Sequence, residues 1–415
     1  MMVAVTFQPP PALIQALLAG FDRRRAQYDL ARLCDTEFAG RRIGTDGHDR
    51  AYAWLLHAMR DLGLAVTHYS FALDVPVLDL YAPPALAALD ESGGVLRAFA
   101  HRREFAEHPR SADRLDAVVG LASIWQDGVD PRGAWGLLDA VPQYEAFAAV
   151  AEQAARQGAI GILTPQHPGT DGYLVKRVMA RAPLALPVVA IRADILPSLE
   201  GQHVRAVLPL RRTHAGGWHV LGRIDGTDAA LAHAPLLVGA HYDAVGDDPG
   251  GLRIPGAADN AAGVAVVLEV ARVLSRHPTR PRRPIILAAF DGEEVNALGS
   301  RAYAHDLKGQ GLMPLVINLD GAARFNDAVW VEPGGPADVL VDALDRAGQW
   351  LEIPLIMGAV GSDNRRYAEV GFPTTGIALG GASAHTPGDV PEQVDATAME
   401  MAGRLLLATI GQLAF

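Results

Sequence analysis

The first clear period lies over 47–61, GHDRAYAWLLHAMRD, where apolar residues recur at helical spacing until Gly63 ends the run. Residues 64–69 then alternate as a strand does. From about 72 to 213 the texture changes to short β runs punctuated by Pro and Gly, at 117–123, 136–141, 159–163 and 187–191, with one helix over 143–156. After Trp218 the rhythm becomes strand, loop, helix, strand. The runs 235–240, 284–290 and Leu315–Leu319 are unbroken apolar strands, 263–275 is helical, 373–379 is a further strand and 391–413 a long closing helix. Strands apolar on both faces, alternating with helices, require a parallel or mixed sheet that is covered on both sides. The pattern predicts an α/β fold: a mixed, mostly parallel sheet with helices on both faces. Its discontinuous domain, 1–71 and 214–415, is interrupted by a smaller β-rich insertion over 72–213.

Polar chemistry gathers where these strands stop. The 235–240 run leads into His241-Tyr242-Asp243, 284–290 into Asp291-Gly292-Glu293-Glu294, and Leu315–Leu319 into Asp320, while the turn after 373–379 delivers His385. Ligands of open α/β sheets bind at the carboxyl ends of the strands, so these scattered groups are expected to converge. Asp259 precedes the helix near Gly263, among small residues that let the backbone approach closely. Two histidines and three carboxylates suit one or two divalent cations, zinc first. A carboxylate can bridge two ions ~3.5–4 Å apart in such a hydrolase site. Asp243, two residues after His241, is placed to accept the other imidazole N–H. The adjacent Glu293 and Glu294 cannot easily point the same way, so one reads as a ligand and the other as a proton shuttle.

Bland alternatives compete at each position. A histidine after a buried strand is commonly structural, Asp259 and Asn260 sit where a helix is capped, and a Glu pair suits a helix start. The pairing of His241 with Asp243 and the other clusters downstream favour ligation. Capping accounts for Ser362 and Asp363 ahead of the helix through Tyr367; His48, His214 and His219 read as structural, and Cys34 as a small packed side chain.

Composition narrows the chemistry. The 415-residue chain is half apolar, which excludes disorder, and its length suits two domains or one large unit with an insertion. Its one cysteine, Cys34, excludes an internal disulfide framework and a thiolate zinc site, so a metal must sit on His and carboxylates. A net charge of −11 without a Lys/Arg block disfavours nucleic acid and anionic membranes as partners. No apolar run reaches the ~18–20 residues that span a bilayer. The N-terminal stretch lacks a basic region ahead of an apolar one. The expectation is a cytoplasmic protein, with secretion by another route left open.

Five segments, GAHYDAV (239–245), PGAADNAAG (255–263), FDGEEVNALGS (290–300), VINLDG (316–321) and AHTPGDV (384–390), together resemble the motifs of the co-catalytic zinc aminopeptidases of metallopeptidase family 28. That family includes relatives such as glutamate carboxypeptidase II and the glutaminyl cyclases. The resemblance covers about 215–415, with a weaker match at FAGRRIGTDG (38–47). It implies a peptide substrate and two zinc ions, other divalent metals being possible: His241 and Asp320 on the first, Glu294 and His385 on the second, Asp259 bridging. It also implies Glu293 as general base and Asp243 as the group orienting His241. Within 72–213, QGAIGILTP (157–165) and LPVVAI (186–191) are similar to the protease-associated domain often inserted in this family.

The activity so implied is a two-zinc exopeptidase, foremost an aminopeptidase. A dipeptidase or carboxypeptidase would need a cationic anchor, which Arg365 and Arg366 could supply. A glutaminyl cyclase typically keeps one working zinc, and a non-catalytic relative should have lost ligands, whereas none is missing. Three departures stand out: Asn296-Ala297-Leu298 where many relatives have Gly-Leu-Leu, Ser362-Asp363-Asn364 for Ser-Asp-His or Ser-Asp-Tyr, and Gly321 for Met. Asn readily adopts a left-handed conformation, so the first is expected to preserve its turn. The oligomeric state is left open, a homodimer included.

Overall fold

In the computed structural model, which describes residues 10–112, 114–125, 130–381 and 383–415, the apolar runs become neighbouring strands. The part of the secretory-signal reading that falls on 1–9 lies outside the described residues. The central strands Ile285–Phe290, Leu236–His241, Leu315–Leu319 and Thr374–Ala378 lie side by side and parallel. Gly216–Ile224 and Ala65–Ala72 extend this sheet antiparallel on one side. On the other side Val329–Gly334 joins it antiparallel and Leu355–Met357 closes the edge.

Every residue of Leu236–His241 and Ile285–Phe290 is buried, which is why neither run alternates in polarity. Alternate side chains nevertheless enter different cores. Leu236, Val238, Ile285, Leu287 and Ile317 pack with the helices Ala12–Ala19, Arg23–Leu33, Ala262–Arg276 and Ala396–Ala414. Leu237, Ile286, Ala288 and Val316 pack on the opposite face with Tyr303, Leu307 and Tyr367, from the helices Leu298–Gly309 and Asn364–Glu369. The closing helix starts later than its apolar pattern implies. Pro391–Gln393 forms a separate short turn, and the Asp395 carboxylate caps the helix by accepting from Thr397 N–H at 2.8 Å.

Residues 77–213 run between two strands that pair with each other, Ala65–Ala72 and Gly216–Ile224. Their base is the antiparallel pair Val77–Leu80 and Leu210–Thr213. Beyond it a second sheet holds Arg114–Ile124, Ala134–Leu137, Gly161–Gln166 and Val188–Arg192 in parallel. These are the strands visible in the sequence, although the second stops at Leu137, where Asp139 and Pro142 turn the chain toward the helix Tyr144–Arg156. The flanking antiparallel strands were not among them: Ala85–Leu89 is apolar throughout but only five residues long, and Val95–Ala98 lies exposed at the sheet edge.

Candidate metal centre

Because Leu236–His241, Ile285–Phe290 and Leu315–Leu319 are parallel and in register, their carboxyl ends bring His241, the 291–294 turn and Asp320 to one edge. His241 Nε2 lies 3.5 Å from Asp320 Oδ1 and 3.2 Å from Asp259 Oδ1. The other oxygen of Asp259, Oδ2, lies 2.9 Å from His385 Nε2, which is 3.0 Å from Glu294 Oε2. Two triads result, His241–Asp259–Asp320 and Asp259–Glu294–His385, with Asp259 common to both. Glu293 belongs to neither.

The turn carrying Asp259 is held by its neighbours. The buried Asp389 carboxylate accepts from Ala258 N–H at 2.6 Å and Asp259 N–H at 3.2 Å. Asn260 donates to the Leu319 carbonyl at 2.9 Å and accepts from Gly321 N–H at 3.1 Å, fastening the turn beside Asp320. Gly321 has φ +90°, a conformation L side chains rarely adopt, and this accounts for glycine at that position. Asp243 acts in two directions. Its main-chain carbonyl accepts from His241 Nδ1 at 3.1 Å, with its carboxylate at 3.6 Å. That carboxylate accepts from the N–H groups of Glu293 and Glu294, each at 3.1 Å. The left-handed turn expected at Asn296 is present (φ +70°) and continues into Ala297 (φ +49°).

The donor set fits a cation. Among the described residues no Lys or Arg forms an ion pair with Asp259, Glu293, Glu294 or Asp320. His241 Nε2 and Glu294 Oε1 are buried without a hydrogen-bond partner. Burial opposes a charge on His241 and His385, yet Asp320 beside the first and Glu294 and Asp259 beside the second hold both imidazoles well above the usual histidine range. Burial would raise Asp259, but His385 and His241 hold it below the usual carboxylate range. Such clustered carboxylates demand positive charge in a desolvated place, and a divalent ion on nitrogen and oxygen ligands supplies it.

Ser362 and Asp363 do not cap the following helix. Asp363 is itself in helical conformation and makes no side-chain capping bond, while Ser362 Oγ accepts from Asn318 Nδ2 at 3.0 Å. Asp363 instead lies buried behind the site, where burial pushes its carboxyl up to about 7. Arg365 is held by Glu332 at 2.8 Å, and Arg366 by Glu369 and the Asn296 carbonyl. His48 and His219 are structural, as expected. His48 Nε2 meets Asp291 at 2.9 Å, and His219 Nδ1 accepts from Asp291 N–H at 2.9 Å. Cys34 is packed, burial pushing its thiol up to about 11.

Sequence reasoning missed Arg41 and Asp389. Arg41 is fully buried and donates to the carbonyls of Leu33, Tyr242, Pro255 and Gly256, tying the loops after His241 and before Asp259. Its signal was the FAGRRIGTDG match; Asp389 was visible only as part of AHTPGDV. A cleft of about 690 Å³ opens beside the second triad, at Glu294 and His385. Glu293, Glu294, His385, Arg365 and Arg366 line it from the main domain, and Val175, Arg177, Val178 and Met179 from the intervening segment.

Residues 219–410 match the model of a family described as Peptidase family M28. Among curated proteins the chain is 39% identical over 87 residues to a probable zinc metalloprotease of Pyrenophora tritici-repentis, covering 20% of each chain. It is 29% identical over 229 residues to the aminopeptidase YwaD of Bacillus subtilis, covering 54% of this chain and 43% of that one. The matched segments therefore span about a fifth of the first relative's length and under half of the second's. In fold it is similar to BSAP, a zinc aminopeptidase from Bacillus subtilis, with a TM-score of 0.73, 20% identity and 95% of both chains covered.

Proposed function

From the match of residues 219–410 to the model of Peptidase family M28, we propose that the protein is a zinc-dependent exopeptidase, an aminopeptidase releasing N-terminal residues from peptides. The observation that carries this reading is Asp259, one oxygen of which faces His241 while the other faces His385. In this reading His241 and Asp320 would hold one ion and Glu294 and His385 a second, with Asp259 offering an oxygen to each. When bound, the ions supply Lewis acidity to the scissile carbonyl and to the attacking water.

The remaining steps belong to side chains. Glu293, outside both triads, takes the water's proton on a carboxylate oxygen and passes it to the leaving amine. Burial raises its carboxyl well above the usual range against the pull of His241, and Asp320, Glu294 and Asp363 add to the rise. Asp243 positions both His241 and the Glu293–Glu294 backbone. A substrate ammonium group suits the carboxylate-rich floor. Residues 72–213, read as a protease-associated-like domain, wall the cleft on one side and favour chain ends.

The carboxypeptidase and dipeptidase readings have less support, because both candidate anchors, Arg365 and Arg366, are already engaged by carboxylates. The cyclase reading is weakened by the completeness of both triads. A cytoplasmic protein without nucleic-acid or membrane partners completes the proposal; among the described residues no helix is long and apolar enough to cross a membrane.

Metal analysis of zinc-reconstituted protein is expected to find about two equivalents; saturation at one moves the reading toward the cyclase. One tripeptide assayed free, N-acetylated and C-amidated identifies which end is read. The acetylated form is expected to be inert and the amide cleaved. Retained cleavage of the acetylated form overturns the aminopeptidase assignment.

A further inference from the structure

The loop bearing His385 is held by residues of the intervening segment. His385 has φ +61° and Ser383 φ +65°, a conformation that non-glycine residues keep only where their surroundings fix it. The main-chain N–H of Lys176 donates to the His385 carbonyl at 2.9 Å. One oxygen of Asp171, Oδ2, accepts from the buried Thr386 hydroxyl at 2.6 Å and from Gly388 N–H at 3.1 Å. The approach is close enough that a Cβ on Gly388 would collide with that oxygen.

Asp171 is itself fixed. Its Oδ1 accepts from Tyr173 N–H at 3.1 Å, within a turn closed by Gly169 N–H donating to the Tyr173 carbonyl at 2.8 Å. Lys176 is anchored at its far end, where Nζ meets Asp248 at 2.9 Å and donates to the Gly246 carbonyl at 2.9 Å. These partners lie in the loop that follows His241 and Asp243. The segment 169–176 thus joins the loops of both triads, although it belongs to neither strand end.

We infer that Asp171 is a positioning residue for the metal centre: through Thr386 and Gly388 it sets the backbone from which His385 projects. The intervening segment then completes the second triad as well as walling the cleft. This rests on the reading of His385 as a ligand.

The test titrates metal-free protein with Zn²⁺ against a chelating indicator, with the thermal midpoint of the metal-free form recorded for each variant. His385→Ala is expected to lose one of the two equivalents. Asp171→Ala should weaken that same equivalent about 10-fold, the lower end of what supporting residues contribute, and leave the other unchanged. Asp171→Asn should fall between the wild type and Asp171→Ala, because its one amide oxygen can keep both bonds made by Oδ2 while its amide nitrogen then faces Tyr173 N–H, a donor, in place of Oδ1. Thr386→Val reads the same contact from the other side if Asp171→Ala does not fold, and should weaken the same equivalent. Wild-type affinity at both equivalents in Asp171→Ala or in Thr386→Val, with one lost in His385→Ala, overturns the inference. So does a parallel weakening of both equivalents with a lowered thermal midpoint, which marks a general structural role. A His385→Ala variant that keeps both equivalents, or a wild type that binds only one, instead overturns the ligand reading beneath it.

Discussion

Glu293→Gln is expected to lower kcat by about 10²–10⁴-fold while metal content stays at the wild-type level. The amide keeps the size of the side chain but cannot take and return a proton. The backbone N–H bonds from positions 293 and 294 to Asp243 do not depend on the side chain that changes. Glu294→Gln should behave differently, because Glu294 Oε2 stands 3.0 Å from His385 Nε2 inside a triad that Glu293 does not share. That variant is expected to lose metal. Steady-state kinetics with metal analysis on both proteins separates the roles, and a Glu293→Gln protein that lost metal would exchange them.

The largest effect on stability is expected at Asp248, beside the intervening segment. Arg102 Nε meets Asp248 Oδ2 at 2.6 Å and Lys176 Nζ meets Oδ1 at 2.9 Å; both cations are buried, and Arg102 also pairs with Glu107. Asp248→Ala removes the carboxylate that faces two desolvated cations, a loss of about 3–5 kcal/mol when a buried pair is broken. Urea unfolding should show it, and a change below about 1 kcal/mol, the range of exposed pairs, would mean that water screens the cluster. The pH dependence has a definite sign. Burial would raise the Asp248 carboxyl, but Lys176 and then Arg102 outweigh it and hold it below its ordinary value of 3.8. A carboxylate depressed in the fold contributes stability above the unfolded value and loses it as pH falls toward the folded one. Wild-type stability should therefore decline below about pH 4 more steeply than that of Asp248→Asn.

The parts of the molecule legible in the sequence are those in which neighbours along the chain share one constraint. The runs 236–240 and Ile285–Phe290 read as buried strands because helices cover both faces, leaving no position for a polar residue. Their parallel alignment then forces the residues after them, His241 and the Glu pair, onto one edge, so that a rule about strand ends reaches the site before any coordinate does. Asn296 was legible for the same local reason, since its own φ decides the turn. The exposed Val95–Ala98 strand was not, because four residues, three of them apolar and all exposed, show no alternation of buried and exposed positions to read.

The sequence by itself determined the α/β architecture, the ligand-type residues at its strand ends and the absence of sulfur among them. Tertiary structure alone decided what stands behind those residues. Asp363 is buried at the back of the site although its position reads as a cap, and Arg41 closes on carbonyls as distant as Gly256. Asp389 holds the Asp259 turn from 130 residues away, and Asp171 reaches Thr386 across 215. Helix and strand periods arise from backbone geometry repeated every few residues, so they are written locally. A loop side chain bonds whichever polar group the closed fold leaves without water, and that partner has no period to betray it.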